Sequence, residues 1–77
     1  MNELSRRAKI KRFLRHRKTG EWISQNGRPI FRADHARDFA TLHELVKFSA
    51  DRKLKDMEVV LRFEEGRNDA TFPLVDT

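Results

Sequence analysis

IKRFLRHRKTGEWIS, residues 10–24, fits two local structures. In helical period Ile10, Phe13 and Leu14 form an i, i+3, i+4 triplet. In period two, Ile10, Arg12, Leu14 and His16 face one way while Lys11, Phe13, Arg15 and Arg17 face the other. The residues that follow favour the strand. Lys18-Thr19-Gly20 is a turn signal with a glycine able to take positive φ, and Glu21–Ser24 is a short β-prone run. A hairpin pairing 11–17 with 21–25 is therefore expected.

Working outward, Asn26-Gly27 marks a second tight turn, and Pro29 cannot donate to a ladder. Ile30 and Phe31 add a few extended residues. Ala36 and Phe39 then sit at i, i+3 in a short turn, and Thr41 with Glu44 spells a capping box, so a helix starts near Leu42. Leu42, Leu45, Val46, Ser49 and Lys53 or Leu54 line its apolar stripe, with Phe48 at the border over an edge of the core. Met57–Phe63 is the clearest strand, with Met57, Val59, Leu61 and Phe63 on one side. Residues 64–69 read as a loop and 70–75 as a last extended segment that Pro73 confines to an edge.

The resulting fold class is α+β: a small two-layer β-β-α-β(-β) domain, mainly antiparallel, with one amphipathic helix on one sheet face. Residues 10–75 form that single domain, and residues 1–9 read as a basic N-terminal arm. Seventy-seven residues leave room for a small core only. Apolar and charged residues each make up 38% of the chain, which fits a folded domain rather than a disordered one. There is no Cys, and no apolar run approaches the roughly 20 residues that span a bilayer, so a chain without membrane contact, cytoplasmic in location, is expected.

Charge is uneven. Residues 1–18 hold eight Lys or Arg and one acid, a net of +7, whereas the remaining residues carry a net of −2, making +5 in all. Such asymmetry points to a polyanionic partner, DNA or RNA before a membrane surface. Arg6, Arg7, Lys9, Lys11, Arg12, Arg15, Arg17 and Lys18 are the candidate contacts, since phosphate neutralisation needs only closely spaced cations and Arg adds bidentate geometry. The competing reading is a solvated face or a protein-binding surface. A protein partner or second copy would use an open edge strand or the sheet face away from the helix.

Trp22, the one tryptophan, would lie close to Arg15 and Arg17 in the hairpin, where it could stack on a base; in so small a domain a place in the core, or over the open end of the sheet, is the stronger reading. Phe13, Phe39, Phe63 and Phe72 read as core. His16, His35 and His43 lack metal-ligand spacing, and no nucleophile arrangement or glycine-rich phosphate loop occurs. The expectation is therefore a non-enzymatic module with no metal, cofactor or small-molecule substrate.

FLRHRKTGEWI, ADHARDFATLHEL and MEVVLRF together resemble a loose pattern in small, mostly uncharacterised bacterial and phage domains, covering about residues 11–63. The resemblance implies the β-β-α-β order and no activity. RKTGEW, with Arg17, Gly20 and Trp22, is similar to the first turn of arm-type DNA-binding domains of tyrosine recombinases. Those end in a helix after a three-stranded sheet, whereas a strand at 57–63 follows the helix here.

Overall fold

The computed structural model describes residues 10–63 and 69–74. The basic arm at 1–9, the loop at 64–68 and the last residues, 75–77, lie outside them. Five antiparallel strands form one open sheet in the order β3-β2-β1-β4-β5. They are β1 (Ile10–His16), β2 (Trp22–Ile23), β3 (Pro29–Ile30), β4 (Met57–Phe63) and β5 (Ala70–Pro73). A helix, α1 (Leu42–Asp51), connects β3 to β4 and crosses one face. The α+β architecture expected from the sequence is the one observed.

Strand β1 is the axis of the molecule. It pairs with β4 over its whole length, Ile10 opposite Phe63 through His16 opposite Met57. On its other side it meets β2 only at Arg15 and Trp22. Where β2 stops, the chain from Ala36 to Ala40 takes its place. Ser24 and Ala36 form an isolated bridge, Arg37 N–H donates to Ile23 C=O at 2.9 Å, and Phe39 N–H donates to Arg12 C=O at 2.9 Å. Arg12 returns the contact from its backbone N–H to Asp38 Oδ1 at 3.1 Å and from its guanidinium to Ala40 C=O at 3.0 Å.

Phe13 and Leu14, adjacent in β1, are both buried, which alternation allows only if both sheet faces are covered. On the helix face Leu14, Ile23, Phe39, Leu45, Met57 and Val59 form one cluster. On the other, Phe13, Trp22, Ala36 and Val60 form a second, closed by Ala33 and Ile30. The short 3-10 turn Ala33–His35 lies over this second face, so the sheet side away from the helix is not the bare surface the sequence suggested. Leu14, Phe39, Leu45 and Val60 are the largest fully buried residues, and each contributes roughly 1.5–3 kcal/mol by leaving water.

The helix begins as the capping pattern implies, with Thr41 Oγ1 accepting from Glu44 N–H at 3.1 Å. Its apolar stripe is narrower than expected. Leu45 and Ser49 are buried, while Leu42 and Val46 are exposed because α1 sits over β1 and leaves its outer flank open. Phe72, expected in the core, is 47% exposed on the edge strand β5. Both edge strands carry a proline pointing outward. Arg28 C=O and Leu74 N–H bond inward to Ser24 and Met57, so the neighbouring Pro29 and Pro73 turn their missing donors away from the sheet.

Candidate nucleic-acid interface

The candidate cations separate into three groups. Arg6, Arg7 and Lys9 lie outside the described residues. Arg12 and Arg15 are occupied by the fold: Arg12 fastens residues 38–40 to β1, and Arg15 Nε meets Glu58 Oε2 at 2.7 Å while its guanidinium lies 5.0 Å from the Trp22 ring. Lys11, Arg17 and Lys18 are exposed, but Lys11 stands toward one end of β1 and the other two in the turn beyond its far end.

Trp22 is not a surface for stacking bases. It is buried, edge-on to Phe13 with ring centroids 5.8 Å apart. Arg62 stacks on the same two rings, 5.3 Å from Phe13 and 5.9 Å from Trp22, and is bound to Asp69 at 3.0 Å. The hydrogen bond from Arg62 holds the Asp69 carboxyl below its ordinary value. Both guanidinium groups over this aromatic pair thus have their own carboxylate, and the core reading of Trp22 is the one the structure bears out.

The turn after β1 brings new neighbours to Arg17 and Lys18. His16 Nδ1 accepts from the N–H groups of Lys18 and Thr19, each at 3.2 Å, and Gly20 takes φ +82° to complete the turn. Arg17 N–H donates to Asp56 C=O at 2.8 Å, and Lys18 Nζ lies 3.6 Å from Asp56 Oδ2. This clips the turn to the segment that leaves α1, whose sequence Arg52-Lys53-Leu54-Lys55 is basic.

That exit has a definite geometry. Lys53 N–H bonds Ala50 C=O and Leu54 N–H bonds Ser49 C=O, which is the Schellman pattern, with Lys53 at φ +53° where glycine is usual. Leu54 packs onto the core, so Lys53 and Lys55 flank an anchored apolar residue. The negative end of the helix dipole partly offsets their mutual repulsion. A cleft of about 380 Å³ opens between the turns, with Ile23, Leu54 and Met57 in its walls and His16, Lys53 and Lys55 among its polar lining.

Arg37 and Arg52 extend the cationic side. Arg37 lies 4.7 Å from the Phe39 ring and 5.2 Å from Phe48, and Arg52 lies 4.6 Å from Phe48. Among the described residues neither guanidinium has an acidic partner or a side-chain hydrogen bond. Arg37, Arg52, Lys53 and Lys55 are not among the candidate contacts expected from the sequence, since they lie outside the dense basic run at 6–18. The spacing that could have found them is Phe48 and Arg52 at i, i+4 on the helix and Arg37 two residues before Phe39.

Among the described residues no group of three His, Asp or Glu side chains could hold a metal, and no helix is long and apolar enough to cross a membrane. No family model, curated protein or solved structure matches the chain.

Proposed function

We propose that this protein binds DNA or RNA without sequence specificity, through Arg17, Lys18, Lys53 and Lys55 at one end of the domain together with the basic residues 6–9. The observation that carries this reading is the hydrogen bond from Arg17 N–H to Asp56 C=O, which sets a basic turn against a basic helix exit. Four cations from two distant stretches then share one end with Asp56 and Glu21 as local acids. Arg12, Arg15 and Trp22 have no direct part, since the fold uses their polar groups or buries them.

Fluorescence anisotropy with a labelled 20-base-pair duplex and a single strand, from 50 to 200 mM salt, tests the proposal. About six phosphate contacts give a slope of log K against log salt near −5 on duplex. Replacing Lys18 and Lys53 by Glu should lower affinity at least about tenfold with the circular dichroism spectrum unchanged. Binding that ignores salt, or that survives the double replacement, overturns the reading.

A second reading, an accessory module that docks a protein, is favoured by the exposure of Leu42, Val46 and Phe72. The outward prolines on both edge strands make a face, rather than strand addition, the mode such docking would use. Self-association in 0.5 M salt by sedimentation is its test, and a monomer at high concentration removes the homodimer.

A further inference from the structure

Phe48 carries two guanidinium groups and no carboxylate. Arg37 and Arg52 lie 5.2 and 4.6 Å from its ring, and the ring itself is held against buried Phe39 at a centroid distance of 5.3 Å. Arg37 owes its place to backbone bonds, its own N–H to Ile23 C=O and the Phe39 N–H to Arg12 C=O, so its side chain is not needed to fix the segment. Arg52 passes so close to the Asn26-Gly27 turn that a Cβ on Gly27 would stand 2.8 Å from Arg52 Nη1. The two cations are therefore placed by the backbone, the aromatic ring and a glycine, and nothing among the described residues neutralises them.

We propose that Arg37 and Arg52 form a phosphate-binding pair built on Phe48. An apolar ring over each guanidinium offers no acceptor to its N–H groups, which leaves them to donate bidentately to a phosphate. The unpaired charge of two Arg, with Lys53 on the next residue, suits a multiply charged phosphate better than a single carboxylate. This inference rests on the nucleic-acid reading for the source of the phosphate, and free phosphate is the other source the chemistry allows.

The test follows the Arg Nε–H signals of the whole chain by NMR in two titrations. One uses inorganic phosphate against chloride at matched ionic strength, the other a ten-nucleotide oligothymidylate. The expected result is saturable movement of the Arg37 and Arg52 signals in both, with those of Arg28 and Arg32 nearly still. Arg37→Lys and Arg52→Lys, which keep charge and lose the planar fork, should each weaken oligonucleotide binding about threefold to tenfold without changing thermal stability appreciably. Movement with phosphate together with no oligonucleotide binding at all supports the pair as a free-phosphate site while overturning the nucleic-acid reading. Oligonucleotide binding that leaves both signals unmoved keeps the nucleic-acid reading and overturns the pair.

Discussion

Among the described residues, two aromatic pairs are each overlaid by two arginines, and they differ in whether those arginines meet an acid. Phe13 and Trp22 lie under Arg15 and Arg62, which are bound to Glu58 and Asp69. Phe39 and Phe48 lie under Arg37 and Arg52, which have no carboxylate partner among the described residues. The stacking is the same chemistry in both places. A neighbouring acid neutralises the cations of the first, the closed pair, whereas those of the second, the open pair, meet no carboxylate among the described residues. The lesson concerns where to look in a basic protein: cations packed most densely in sequence can be those the fold consumes.

The closed pair should matter most to stability. Trp22→Ala empties a buried site and is expected to cost about 3–5 kcal/mol by urea denaturation, whereas Phe48→Ala, from a half-buried position, should cost no more than about 2 kcal/mol. Equal losses would break the contrast between the two pairs. Next in size, Glu58→Ala leaves Arg15 unpaired with its side chain only 29% exposed, and about 1–2 kcal/mol should be lost. That variant makes the closed pair resemble the open one, and the Arg15 Nε–H signal should then begin to respond to added phosphate.

A smaller effect of opposite sign is expected beside the open pair. Lys53→Gly relieves a left-handed residue and should raise stability by about 0.5–1 kcal/mol while weakening oligonucleotide binding. A rise in stability with oligonucleotide binding unchanged would show that the Lys53 charge is idle. The smallest effect belongs to Asp69. Its carboxyl is held low by Arg62, so the pair adds stability above the unfolded value near pH 4 and loses it as pH falls through the lower folded value. Both side chains are about a third exposed or more, and solvent screening limits the gain to a few tenths of a kcal/mol. Comparing native and Asp69→Asn stability at pH 6 and pH 3 checks it, and a difference above about 1 kcal/mol would mark the pair as more than a surface contact.

Much of the fold was legible because local chemistry announced it. Gly20 and Gly27 do adopt positive φ at the two expected turns, Thr41 caps the helix, and Met57–Phe63 alternates as a strand should. The helix stripe was less legible. Leu42 and Val46 have the right spacing for burial, but spacing gives a direction around the helix axis and not the strand over which that axis lies. The candidate site was legible only in part: Arg17 and Lys18 stood in the basic run, while Lys53, Lys55, Arg37 and Arg52 are distant in sequence and unremarkable in composition.

Sequence alone determined that Arg15 and Phe13 share one side of a strand and Leu14 the other, since alternation is a property of the extended backbone itself. Only the tertiary structure decided which arginines meet a carboxylate. Glu58 lies 43 positions from Arg15 and reaches it through strand pairing, and Phe48 meets Arg37 only after the chain crosses the sheet. Whether a charge is neutralised depends on distances of a few ångströms, and those are set by packing between segments that no local pattern connects.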